Sequence, residues 1–197
     1  MLYNFGMTSA PVAEPLMTAE EFYLLPDPPE GGKMELVCGK VVTHMPVSGK
    51  HGERQGIIWQ TLRAFAIPHN EGRVTVEAGF ILHDDPDLVR APDVAVVALS
   101  RLPDGQLPED GFISGPPLLA VEVVSKGDTE RDVLEKVADY LDNGVARVWA
   151  VRAKTRSVVI YYPNGEVKLV PSGGTLTSDD AGFTNDGFAL AVASIFE

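Results

Sequence analysis

The chain has 197 residues, long enough for one domain with a sizeable core and too short for two ordinary domains. Its hydrophobic content of 45% and charged content of 22% are typical of a globular protein, and no apolar run of about 18 residues predicts a membrane span. The 28 acidic residues outnumber the 16 Lys and Arg, for a net charge of −12. This balance excludes the overall basic character by which most nucleic-acid binders neutralise phosphate, but not a local basic patch or metal ions that bridge carboxylates to phosphates.

Residues 1–16 contain no basic n-region and no continuous apolar h-region, so we expect a flexible leader rather than a signal peptide. Cys38 is the only cysteine, which rules out an internal disulfide and gives no indication of an oxidising compartment. We therefore expect a cytoplasmic protein in which residues 17–197 form a single domain, with no membrane partner.

The first half of the chain is divided by turn and cap residues. Thr18 and Glu21 have the spacing of a capping box, which begins a short helix, and Pro68 ends a longer one. Alternation of apolar residues predicts strands on either side of an acidic turn. The predicted elements are a helix over 18–25, a hairpin over 34–37 and 40–45, a helix over 51–67, and antiparallel strands over 74–82 and 92–99.

The second half is organised around an apolar run that only Glu122 interrupts, which predicts a buried strand. Asp128 or Thr129 caps the helix that follows, and Asn143-Gly144 ends it. The predicted elements are a loop over 100–117, a strand over 118–124, this helix, strands over 147–151, 157–162 and 166–170, and a tail over 173–197 that covers the sheet. This order predicts an α+β domain with one mixed central sheet.

Two acids stand out because each lies in or at the start of an apolar strand. Asp93 opens one strand and Glu122 lies within the next, where a carboxylate is costly unless it is paired or binds a cation. Mg²⁺ takes a few carboxylate oxygens together with phosphate and water. Lys136, on the flank of the following helix, has a stem long enough to reach back toward the strand and stabilise a pentavalent phosphorus. The same residues could instead be two acids that cap turns and an ordinary flanking lysine.

Five short motifs add to this pattern through their order and spacing. They are Met34-Glu-Leu-Val-Cys-Gly-Lys-Val41, Arg90-Ala-Pro-Asp-Val94, Glu122-Val-Val-Ser125, Glu135-Lys-Val-Ala-Asp-Tyr140 and Gly144-Val-Ala-Arg-Val-Trp149. Together they resemble a widespread bacterial family described as putative restriction endonucleases, within the PD-(D/E)XK nuclease superfamily. The resemblance covers roughly residues 17 to 196.

The resemblance implies a restriction-endonuclease-like core and Mg²⁺-dependent hydrolysis of phosphodiester bonds, with Mn²⁺ as a substitute metal and nucleic acid, expected to be DNA, as substrate. Asp93 and Glu122 are the implied metal ligands. The superfamily's usual lysine lies two residues after the glutamate, where this chain has Val124. Lys136 fits a lysine that has migrated to the following helix, and Lys126 in the loop is the alternative.

Three further residues match positions at which the family carries functional groups or lie near the implied site. Glu35 could be an additional metal ligand or a base, or it could be an exposed charge on a strand. Glu77 matches a position at which the family carries an acid, and a structural role is favoured for it. His51 could contact phosphate or water, or simply be a satisfied histidine at a helix start. A homodimer is compatible with cleavage of two strands. The alternative function is a catalytically silent binding or assembly module that retains the nuclease fold.

Overall fold

The computed structural model describes residues 16–197, so the leader predicted for residues 1–16 lies, except for Leu16, outside the described residues. The described part is an α+β domain with an N-terminal helix, a β-hairpin and a mixed central sheet, as the sequence predicts. No helix within residues 16–197 combines the length and apolar character needed to cross a bilayer.

The described residues form four α-helices and thirteen β-strands. The helices are α1 (Ala19–Tyr23), α2 (Gly49–Ala66), α3 (Glu130–Asp142) and α4 (Ser178–Ala181). The strands are β1 (Lys33–Val37), β2 (Lys40–His44), β3 (Gly72–Val76), β4 (Phe80–His83), β5 (Leu88–Arg90), β6 (Val94–Ala98), β7 (Ile113–Ser114), β8 (Leu119–Val124), β9 (Arg147–Arg152), β10 (Ser157–Tyr161), β11 (Val167–Pro171), β12 (Thr175–Thr177) and β13 (Ala189–Ala191).

The central sheet has six strands in the order β11-β10-β9-β8-β6-β3. All neighbours are antiparallel except β8 and β9, which are parallel because α3 carries the chain back between them. A second sheet has the order β2-β1-β5-β4-β7, and β12 pairs with β13. The described strands therefore form three sheets rather than the single sheet that the sequence predicts.

The physical reason for the division is a break at Glu77. This residue has a positive φ of 51°, which interrupts an extended strand. The single strand predicted over 74–82 is consequently wrong: β3 joins β6 in the central sheet, while β4 joins β5 in the second. The stretch predicted as an acidic turn also contains β5, which pairs with β1 through Leu36 and Val89.

Side chains from the two faces of the central sheet enter different cores. Val121 and Val123 pack with Ile58 of α2, and the aromatic tail packs against this face, as predicted. Ala120 packs on the opposite face with Val133 of α3. Because side chains alternate along a strand, Glu122 faces the same side as Ala120 and so points toward α3.

Both long helices begin at the same end of the central sheet. Ser48 caps α2 by accepting a hydrogen bond from the His51 amide. Thr129, rather than Asp128, is the N-cap of α3 and forms a capping box with Asp132. Asp128 instead accepts a hydrogen bond from the Ser125 amide, which orders the loop between β8 and α3. This loop and the start of α2 border the candidate site.

Candidate active site

The structure brings Asp93 and Glu122 together at the ends of neighbouring strands. Val94 pairs with Val121 in the antiparallel ladder, so Asp93, directly before β6, lies beside Glu122 of β8. Asp93 Oδ2 accepts a hydrogen bond of 2.6 Å from the Val123 amide. Both acids are more than nine-tenths buried. They therefore form an adjacent, shielded pair.

Helix α3 delivers two donors to Glu122. Lys136 Nζ lies 3.0 Å from Glu122 Oε2, and one helical turn later Tyr140 donates its hydroxyl to Oε1 at 2.7 Å. Burial opposes the charge on Lys136, but Glu122 and Glu35 outweigh it and raise the pKa of this lysine. Lys136 is thus an ammonium at neutral pH, able to donate hydrogen bonds but not to act as a base. Lys126 is exposed in the loop.

A second ammonium, which the sequence analysis missed, lies beside Asp93. Lys33 Nζ donates to the Ala91 carbonyl at 2.7 Å and to Asp93 Oδ1 at 3.2 Å. Burial opposes ionisation of Asp93, but the neighbouring His51 ring, the Lys33 ammonium and the Val123 amide outweigh it and lower the pKa of Asp93 to about 2. Asp93 is therefore ionised, and each acid of the pair has a lysine of its own.

Glu35 is fully buried, so the interpretation as an exposed strand charge is wrong. Its Oε2 accepts a hydrogen bond of 2.8 Å from Arg90 and lies 2.8 Å from His44 Nε2, while Oε1 accepts the Ala91 amide at 3.0 Å. Lys136 Nζ is 3.6 Å away. Glu35 is thereby positioned to hold the arginine and to neutralise part of the lysine's charge.

Arg90 is another residue that sequence reasoning did not assign a role, although its motif contained it. Its guanidinium bridges Glu35 and Asp139, the latter on α3. The bridge connects the hairpin strand β1 to the helix that carries Lys136. A bidentate-capable guanidinium is suited to such a link because its donors point in fixed directions. Through Arg90, Glu35 therefore helps to fix the position of the helix that carries Lys136.

His51 lies at the other side of Asp93. Its Nδ1 is 3.2 Å from Ser125 Oγ, and its Nε2 is 3.2 Å from Asp93 Oδ2 without hydrogen-bond geometry. Within residues 16–197, Nε2 has no hydrogen-bond partner although the ring is buried. A buried, unpaired nitrogen costs free energy unless a ligand or water completes it. The contact of His51 with phosphate or water therefore stays a prediction.

Glu77 contributes to the site only at a distance. Its carboxylate is exposed and accepts a hydrogen bond of 3.1 Å from Gln55, whose amide also donates to the Asp93 carbonyl at 2.8 Å. The Glu77 amide approaches the same carbonyl at 3.4 Å. These contacts support the backbone at Asp93, and the structural role that the sequence favours for Glu77 stays a prediction.

The acid pair lines a cleft with a volume of about 1140 Å³. Its charge differs in sign from that of the whole chain: six basic side chains face four acids. The basic residues are Lys33, Arg54, Lys126, Lys136, Arg152 and Lys154, and the acids are Asp93, Glu122, Asp128 and Glu130. Two further basic residues of the long helices have other partners: Arg63 of α2 lies over the Trp59 ring, and Arg131 of α3 pairs with Glu135. The cleft is a local basic patch in an acidic protein.

The donor set fits a hard divalent cation that keeps open positions. Within residues 16–197, no group of three or more His, Cys, Asp or Glu side chains could enclose a metal ion. Asp93 and Glu122 supply carboxylate oxygens, each with a further lone pair beyond its present partner. Mg²⁺ is commonly bound in this way, by one or two carboxylates with substrate phosphate and water. Asp93 and Glu122 are therefore the residues that would hold such an ion.

The fold is that of a nuclease-like domain. A similar solved structure, titled a putative nuclease belonging to DUF820 from Anabaena variabilis ATCC 29413, superposes with a TM-score of 0.72. The two share 22% sequence identity, and the match covers 91% of this chain and 97% of that one, so the likeness concerns the fold. The chain itself belongs to the Uma2 family, described as "Putative restriction endonuclease", whose model matches residues 19–193. A search of curated proteins found no match.

Proposed function

We propose that this protein is a Mg²⁺-dependent endonuclease that hydrolyses phosphodiester bonds of nucleic acid, with DNA as the expected substrate. The observation that carries the proposal is the buried pair of Asp93 and Glu122 with the Lys136 ammonium 3.0 Å from Glu122. The two acids would hold the ion. Bound Mg²⁺, or Mn²⁺ in its place, polarises a phosphoryl oxygen and makes water a stronger nucleophile.

The chain's own residues then have separable tasks. Lys136, fixed as an ammonium, donates to the attacking water or to the phosphoryl oxygen on which negative charge develops. Tyr140 holds Glu122 in one orientation through Oε1. His51, through its unpaired Nε2, contacts the phosphate or a water at the Asp93 side.

The basic cleft supports a polyanionic substrate. Arg54, Lys126 and Lys154 lie in different segments around it, and the start of both long helices adds backbone amides at the same end. Such a surface attracts phosphates locally, although the net charge of the chain repels them at a distance. We therefore expect binding of nucleic acid to weaken steeply as salt is raised.

A second candidate function is a catalytically silent binding or assembly module. It is favoured by the fact that every oxygen of the acid pair already has a protein partner: Lys33 and the Val123 amide for Asp93, Lys136 and Tyr140 for Glu122. Val124 at the usual lysine position points the same way. Under this alternative, the protein binds no divalent ion and presents the 100–117 segment or a sheet edge to a protein partner.

Cleavage assays separate the two functions. The wild type is incubated with supercoiled plasmid, linear duplex, single-stranded DNA and RNA, in Mg²⁺ or Mn²⁺ and in chelator. We expect metal-dependent cleavage that falls by about 10³-fold or more in Asp93→Asn and in Glu122→Gln, since each removes a metal ligand. The exposed acids on α3 provide matched controls, Asp142→Asn and Glu135→Gln, which keep wild-type rates.

Either of two results would count against the proposal. Unchanged cleavage in both acid variants would show that the active site lies elsewhere. Absence of cleavage on every substrate, together with absence of Mn²⁺ binding in calorimetry, would favour the silent module. Light scattering after size exclusion tests whether the protein forms a homodimer, independently of either result.

A further inference from the structure

Two groups of ion pairs within 4 Å lie at the acid pair. Lys33 pairs with Asp93, while Lys136 and Arg90 join Glu122, Glu35 and Asp139. The seven residues come from β1, β5, β8, α3 and the segment before β6. They comprise four carboxylates, Glu35, Asp93, Glu122 and Asp139, against three cations, Lys33, Arg90 and Lys136. With the His44 and His51 rings, which contact Glu35 and Asp93, counted as neutral, one net negative charge remains.

One divalent cation would turn this balance to one net positive charge, and one phosphodiester would then bring it to neutrality. Metal without substrate leaves buried excess charge of the same sign as the lysines, which is unfavourable in a shielded site. Metal and phosphodiester together leave none. The charge balance thus favours their binding as a pair over the binding of metal alone.

Lys33 is the cation best placed to oppose the binding of metal alone, because its charge lies next to Asp93. Its ammonium lies 3.2 Å from Asp93 Oδ1, an oxygen that a metal on Asp93 would use or adjoin. It also has a second partner, the Ala91 carbonyl at 2.7 Å, and its side chain borders the open cleft. Arg90, by contrast, is held by two carboxylates on opposite sides. Lys33 can therefore shift toward the cleft while remaining hydrogen bonded.

We infer that Lys33 is the resting counter-ion of Asp93, which keeps divalent metal weakly bound until a substrate phosphate enters the cleft and accepts the lysine as a partner. This inference rests on the proposed function and adds a positioning residue to it. A metal that binds productively only with substrate protects the buried acids from being saturated by free cations.

The test is calorimetric titration of Mn²⁺ alone into the full-length protein, without nucleic acid. Wild type is compared with Lys33→Met and Lys33→Gln, the second of which retains a neutral hydrogen-bond donor. Lys126→Met is the control, because it removes the same charge from the same cleft without an acid partner. We expect both Lys33 variants to bind Mn²⁺ roughly tenfold tighter or more, since a like charge beside the ion is removed. The control should match the wild type.

A gain of affinity distinguishes this role from a structural one, because loss of a structural contact would weaken binding. Equal or weaker Mn²⁺ binding in both Lys33 variants, or tightening in Lys126→Met as well, would overturn the inference. If the wild type nevertheless cleaves nucleic acid in Mg²⁺, the proposed function stands and the role of Lys33 alone is wrong. If nothing binds and nothing is cleaved, both fail.

Discussion

The replacement Glu35→Ala measures how strongly the buried network holds the site together. Glu35 is fully buried, and the substitution removes the carboxylate that accepts hydrogen bonds from Arg90 and from the Ala91 amide. Removing one partner of a buried ion pair leaves the other charge uncompensated and costs about 3–5 kcal/mol. For a domain of this size, each kcal/mol lowers the melting temperature by about 2–4 °C, so we expect a decrease of roughly 6–20 °C.

Urea denaturation followed by circular dichroism gives the free energy of unfolding, and a thermal scan gives the melting temperature. Glu135→Ala is the matched control, since Glu135 pairs with Arg131 on the surface of α3 and its side chain is 55% exposed. We expect that control to leave stability unchanged within error. A loss below about 1 kcal/mol for Glu35→Ala would mean that Arg90 finds sufficient compensation from Asp139, and the network argument would be refuted.

Three other predictions follow from single residues. In single-turnover cleavage, Lys136→Met should lower the rate by about 10²–10³-fold, whereas Lys126→Met should change it by less than about threefold. Adding Val124→Lys to Lys136→Met should restore part of the lost rate. Burial tends to raise the pKa of Asp180, but hydrogen bonds from Lys168 and Thr177 outweigh burial and lower this pKa in the folded state. Asp180 therefore stabilises the fold at pH values above its unfolded pKa near 3.8, and this stabilisation is lost as the pH falls through the lower folded pKa. The difference in urea stability between wild type and Asp180→Asn should therefore be constant above about pH 5 and shrink below about pH 4. Thr129→Ala should cost about 1 kcal/mol in the same assay, because it removes the N-cap of α3.

The elements that the sequence predicted well carry local signals. The capping box at Thr18 and the helix over Glu130–Asp142 have their cap residues within a few positions of the apolar pattern that they begin. Glu122 was visible because it is the single charge in an apolar run, and the register of β8 against β6 then brings Asp93 beside it. The caps and the lone charge require no knowledge of tertiary contacts, whereas the register of β8 against β6 does.

What the sequence did not reveal depends on distant contacts or on an unusual backbone conformation. Lys33 and Asp93 are 60 positions apart, and Arg90 and Glu35 are 55 apart, so no spacing rule connects them. The break at Glu77 places a residue other than glycine at positive φ, which propensity does not predict. The contact between Gln55 and the Asp93 carbonyl supports that region, and it becomes visible only when α2 packs on β3 and β6.

The position of Lys136 shows that this site is better described by which side chains lie close to Glu122 than by their spacing in the sequence. A residue two after Glu122 lies on the same face of β8, and here that residue is Val124, which packs against the core beneath α3. The helix supplies the ammonium instead, with Nζ of Lys136 at 3.0 Å from the glutamate it serves. Because an ammonium acts through the location of its charge, a lysine from the strand and one from the helix are chemically equivalent when each reaches the same oxygen. The helix origin adds a constraint that a strand lysine lacks: Arg90 and Asp139 link α3 to Glu35, so the position of the charge depends on the hairpin.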